Sequence, residues 1–261
     1  MGRLVAVCVL AAGCGRYGFT PLSDDAHAAT DGTHDGASTD TNGASGDSGS
    51  GSGATPPVTY AGAAASVLGT TGASQSFTIT PFTAGDAILI MVGCAGSQTP
   101  SAVTLTAPGW TFTVMSPMTL ESPAQIAAAS FSAIVPAGAA PVTATVSWTS
   151  ANCNRGKSML ADEFGNVDPV APFDAHAQAN GGGNCTTPIT TGAANEAIWG
   201  GCYAGTSLTG PGMGYTMSAS DGIGDFDEYK LTTDAVGTVE TVDFGNPNGF
   251  VVVAATLKPA P

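Results

Sequence analysis

The chain predicts an all-β protein, an antiparallel β-sandwich of jelly-roll or Ig-like type that follows a disordered N-terminal tether. Three observations point there. From Val58 onward helical periodicity is nearly absent, while short β-rich runs recur between Gly and Pro punctuation. The two halves of that region echo one another in sequence. The residues before it are too polar and too small to make a core.

The first element is a leader, residues 1–13, reading MGRLVAVCVLAAG. One basic residue, Arg3, precedes an uncharged run from Leu4 to Gly13, and small residues stand just before Cys14, as at a secretory cleavage site. The run falls short of the about 20 apolar residues that cross a hydrocarbon core. Ala6 stands where a myristoylation motif has Ser or Thr. The five residues LAAGC resemble the lipobox of bacterial lipoproteins. The resemblance implies a thioether-linked lipid on Cys14, which becomes the mature N-terminus. Gly15 in place of an Asp after that cysteine implies export to the outer membrane.

Residues 14–57 form the second element, almost wholly Gly, Ser, Thr, Ala and Asp, including Asp24, Asp25, Asp31, Asp35, Asp40 and Asp47. Such a composition cannot bury enough surface to offset its ordering entropy. As a coil of roughly 40 residues it spans about 35 Å, enough to hold a folded domain clear of a membrane. The run TDGTHDGASTDTNG lacks the D-x-D-x-D-G order and closing Glu of a calcium loop.

The third element, 58–261, is long enough for a substantial core. Twelve strands are predicted: 76–80, 87–95, 102–106, 110–115, 129–135, 142–149, 158–164, 197–204, 214–219, 227–232, 238–244 and 250–257. The Ala-rich AGAAAS (61–66) competes for helix, but its Gly and Thr neighbours disfavour one. Fourteen acids face four bases, Arg155, Lys157, Lys230 and Lys258, so the domain carries most of the formal charge of −14. Nucleic acid is a poor partner for it, since phosphate binding relies on Lys and Arg.

The internal echo runs in order through four blocks. TPFTAGDAILIMVGCAGS (80–97) aligns with TPITTGAANEAIWGGCYAGTS (187–207), and APGW (107–110) with GPGMGY (210–215). SAIVPAGAAPVTATVSW (132–148) aligns with KLTTDAVGTVETVDF (230–244), and SMLADEFGNVDP (158–169) with FVVVAATLKP (250–259). The expectation is a duplication with repeats at 75–169 and 184–260. It makes either two tandem sandwiches or, favoured by the short connections, one body with a pseudo-twofold axis.

Four domain cysteines, Cys94, Cys153, Cys185 and Cys202, predict two disulfides in an oxidising compartment, with three connectivities open. If equivalent strands meet at the axis, Cys94 faces Cys202 and Cys153 pairs with Cys185. No C-x-x-C supports a zinc or redox site.

Catalytic raw material is scarce. His176 is the domain's one histidine, read as a loop residue, and neither G-x-S-x-G nor H-E-x-x-H occurs. Asp162 and Glu163 are adjacent on a predicted strand and so point to opposite faces, one of them partly buried and hydrogen-bonded to backbone. DGIGDFDEY (221–229) packs Asp221, Asp225, Asp227 and Glu228 into a Gly-bearing loop, either a charged hairpin tip or a weak Ca²⁺ site. Alternation puts Trp148 and Trp199 in the core, which leaves Trp110, after the P-G turn, as a surface platform for sugar rings.

The turns TAGDAILIMVG, PGW, VPAGAAPVTATVSW and DEFGNVDPVAPFD resemble those of a widespread type of bacterial exported β-sandwich protein. That resemblance implies architecture and no activity. The expected function is a non-enzymatic cell-surface lipoprotein. It is held to the membrane by its N-terminal lipid, and its sandwich serves adhesion, envelope association or recognition of an extracellular glycan or protein. The alternatives are a carbohydrate-binding module centred on Trp110 and a secreted hydrolase using acidic residues, with two carboxylates about 5 to 9 Å apart in a cleft.

Overall fold

A computed structural model describes residues 55–69, 71–98, 100–122, 124–149, 153–222 and 224–261. Cys14, the leader and the tether up to residue 54 lie outside the described residues. Fifteen strands and no helix make up the described chain. They are β1 (Thr59–Gly69), β2 (Ser74–Ile79), β3 (Ala87–Ala95), β4 (Ala102–Thr106), β5 (Thr113–Glu121), β6 (Ile126–Ile134), β7 (Val142–Thr149) and β8 (Gly156–Gly165). The rest are β9 (Phe173–Gly181), β10 (Thr186–Thr190), β11 (Ala197–Ala204), β12 (Thr216–Ser220), β13 (Phe226–Leu231), β14 (Val239–Asp243) and β15 (Phe250–Leu257).

All pairings are antiparallel, and the fold is a β-sandwich as the sequence predicts. Four sheets stack in layers. A three-stranded sheet, β2-β7-β4, packs on a five-stranded one, β1-β8-β3-β6-β5. The far face of the latter packs on a second five-stranded sheet, β12-β13-β11-β15-β9, which is capped by the two-stranded β10-β14. The two five-stranded sheets are buried on both faces, which explains why β3, β6, β11 and β15 carry near-continuous apolar or small residues rather than a simple alternation.

Both central sheets have one strand order. Read outward from the edge, β1-β8-β3-β6-β5 corresponds to β9-β15-β11-β13-β12, and β2-β7 corresponds to β10-β14. The four aligned sequence blocks occupy matching places in the two halves. The halves pack head to tail: β8 lies over β13 and β12, β6 over β15 and β11, and β5 over β9. Each half is a small sandwich of its own, and the two share a middle core made of Leu89, Met91, Leu160, Trp199, Val253 and their neighbours.

Each half carries its own disulfide, Cys94–Cys153 and Cys185–Cys202. This corrects the expectation that Cys94 meets Cys202. In β3 the even residues Ile88, Ile90, Val92 and Cys94 face the first outer core, and in β11 Ile198 and Cys202 face the second. The two cysteines are equivalent by the echo, and alternation turns both away from the shared middle.

Three strands escape the sequence reading. β1 and β9 are the equivalent edges of the central sheets, TYAGAAASVLG and FDAHAQANG, and β10 contains Pro188. His176, expected in a loop, sits exposed on β9. The strand expected at 110–115 begins instead at Thr113 and runs through Pro117 to Glu121.

Candidate functional site

Alternation along β8 decides where its two acids go. Asp162 shares a face with Leu160 and Phe164 and enters the middle core, while Glu163 turns to the first outer core side. Both are fully buried, where the sequence predicts burial for one of them. Glu163 accepts the amides of Phe82 (2.9 Å) and Thr83 (2.7 Å), clamping the turn before β3. Asp162 is held by side chains: Tyr60 Oη donates to Oδ1 (2.9 Å), and Trp199 Nε1 (2.9 Å) and Ser218 Oγ (2.7 Å) donate to Oδ2.

The DGIGDFDEY acids diverge because β13 starts at Phe226. Asp227 points into the middle core and Glu228 to the opposite face, where it accepts the amides of Gly212 (2.7 Å) and Asp243 (2.9 Å). Burial pushes the Glu228 carboxyl up to about 7. Only Asp221 and Asp225 stay together in the turn. Asp225 accepts the amide of Ala204 (3.1 Å), and burial together with the neighbouring Asp221 raises it to about 8. The four acids therefore do not share one coordination shell, and no cluster of three or more His, Cys, Asp or Glu with metal-ligating geometry occurs among the described residues.

Asp227 faces Asp162 across the middle core, and neither of its oxygens has a hydrogen-bond partner among the described residues. Burial and the adjacent Asp162 raise the Asp227 carboxyl well above the ordinary range, which favours its neutral form. Room for it comes from Gly201, where a Cβ would lie 2.5 Å from Asp227 Oδ1 and 2.8 Å from Met91 Sδ. With Cys94 set on Cys202, the matching places hold Leu257 and Ala128, so the acidic pair marks one side of the seam only. Both carboxyls are sealed from water.

At one end of the same seam opens a cavity of about 270 Å³. Both halves build it: Leu68, Ile126 and Arg155 from the first, Tyr203, Ser207 and Asp225 from the second. Tyr203 is almost wholly buried, and its hydroxyl lies 3.6 Å from where a Cβ on Gly156 would be. Burial pushes its hydroxyl well above the ordinary phenol range, so it stays neutral. Arg155 is exposed, its amide bonded to Ala95 O (2.9 Å) and its Nη1 to Ala124 O (3.1 Å).

Trp110 is not a free platform. It is half-buried, stacks on Phe112 with ring centroids 5.8 Å apart, and packs on the first outer core. A shallow groove of about 540 Å³ runs beside it, lined by Gly109, Thr111, Val170 and Phe173 rather than by the indole. Trp148 and Trp199 are buried. Sequence reasoning missed Tyr203 and Arg155, whose places depend on packing between halves. Comparison with known protein families, curated proteins and solved structures finds nothing that matches this chain.

Proposed function

We propose that this protein is a non-enzymatic recognition module of the cell envelope, anchored through an acylated Cys14 and presenting its ligand site at the seam between the two sandwiches. The observation that carries the reading is the seam cavity, a concave site at the junction of two packed units whose walls bring several polar side chains together with a small apolar floor. The acids best placed for general acid–base work, Asp162 and Asp227, are instead enclosed between the halves, where no substrate reaches them. The two disulfides fit an oxidising compartment outside the cytoplasm.

Two measurements test this. Labelling with a radioactive fatty acid is expected to mark the protein and to fail in Cys14→Ser. A glycan and envelope-polymer array probed with the full chain is expected to show a ligand whose binding is lost when the seam is filled by Ser207→Trp. Binding that persists unchanged in that variant places recognition elsewhere.

A further inference from the structure

The four cations of the described residues divide cleanly. Lys230 is paired with Glu240 (2.7 Å) and Asp234 (3.6 Å), and Lys258 with Asp174 (3.8 Å). Arg155 and Lys157, alone among the described residues in having no carboxylate partner, stand two apart at the head of β8 and both belong to the wall of the seam cavity. Lys157 is buried, its ammonium given to Ser74 O (2.9 Å) on the far side of β8, and contributes positive potential from behind the wall. Arg155 spends one N–H on Ala124 O and has others to offer.

The remaining walls set the size and the rest of the chemistry. Tyr203 and Ile126 give an apolar floor, with the half-exposed Leu68 beside it. Thr206 and Ser207 bring hydroxyls from the loop after β11. Burial and the neighbouring Asp221 raise Asp225 to about 8, which weakens its competition for the guanidinium near pH 7. The volume lies just below the about 300–1,000 Å³ of typical small-molecule sites, which suits one sugar ring or a small organic acid. The chain's charge of −14 does not forbid an anion here, because exposed charges are screened beyond about 8 Å at physiological ionic strength.

We infer that the seam cavity binds a small carboxylate, with Arg155 as the charged donor and the Tyr203 face beneath the ligand's carbon frame. This rests on the recognition reading above and narrows it to one ligand chemistry. The carboxylate comes either from a uronic acid residue of a polysaccharide or from a free organic acid.

Titration calorimetry of the full chain with D-glucuronate, D-glucose and L-lactate at pH 6.5 tests it. Glucuronate is expected to bind at least about tenfold more tightly than glucose, as a charge-assisted hydrogen bond would give. Lactate binding comparable to glucuronate assigns the free acid, and glucuronate binding without lactate assigns the sugar. Arg155→Gln is expected to lose that preference, Arg155→Lys to keep part of it, and Lys258→Gln to leave it unchanged. Glucose binding as tight as glucuronate, or affinity indifferent to Arg155→Gln, overturns the carboxylate while recognition at the seam survives. Silence with all three probes also overturns it, and the array with Ser207→Trp then judges the recognition reading separately.

Discussion

Gly93 of β3 lies directly beneath the ring of Tyr203 of β11, and a Cβ on Gly93 would overlap Cγ and Cδ2 of that ring. The contact joins the two halves where they form the floor of the seam cavity. Gly93→Ala is therefore expected to cost about 1–3 kcal/mol, as overpacking of a core does. In a double-mutant cycle followed by urea denaturation, Tyr203→Ala should absorb most of that cost. Additive losses would mean that the ring and the glycine do not press on one another.

The disulfides make a second prediction, because they close very different lengths of chain. Cys94–Cys153 spans 59 residues and Cys185–Cys202 spans 17. On the chain-entropy argument, Cys94→Ala/Cys153→Ala should lose about 4 kcal/mol and Cys185→Ala/Cys202→Ala about 3. Non-reducing peptide mapping should find each bridge within its own half. A Cys94–Cys202 peptide would contradict the layer order itself, since it requires both side chains to leave their outer cores.

Those layers also explain what the sequence could and could not reveal. β3, β4, β7, β11 and β15 coincide with the predicted runs because two-sided burial or strict alternation is a local pattern. β1 and β9 lie at sheet edges with Ala, Gly and short polar side chains, and they are strands because β8 and β15 offer them a register, which is non-local information. Alternation correctly separated Asp162 from Glu163. It could not say that β8 would lie over β13 and so bring Asp227 to Asp162. The predicted strand 227–232 already overlaps the cluster at 221–229, and with β13 beginning at Phe226 alternation sends Asp227 and Glu228 to opposite faces.

Stability should fall as pH rises from about 5 to 8.5. Four carboxyls are raised chiefly by burial: Asp86 to about 6, Glu196 and Glu228 to about 7, and Asp225 to about 8. In that window the folded protein keeps protons that the unfolded chain, with carboxylates near 4, has released, so deprotonation favours unfolding. Asp168 and Asp234 are lowered instead, but their effect falls at and below the ordinary carboxylate range. Lys157, lowered by burial, acts in the opposite sense toward the alkaline end. Melting temperatures measured across this range at fixed ionic strength should decline with pH, and a rise would show that these carboxyls are ionised in the fold.

The Asp162–Asp227 pair adds to that slope and can be isolated from it. Asp162 accepts three fixed donors, Tyr60, Trp199 and Ser218, whereas neither Asp227 oxygen has a partner, so Asp227 is the carboxyl of the two that folding keeps neutral. Asp227→Asn supplies an amide that donates to Asp162 without titrating. The variant should match the parent within about 1 kcal/mol at pH 5 and exceed it at pH 8.5, where each unit of raised pKa is worth about 1.4 kcal/mol. Asp162→Ala should behave differently, orphaning buried donors at about 1–3 kcal/mol each and destabilising the protein at every pH. Trp199 fluorescence during urea unfolding reads both variants. If Asp227→Asn instead weakens the protein equally at pH 5 and pH 8.5, Asp227 holds no proton in the fold, and the pair adds nothing to the pH dependence.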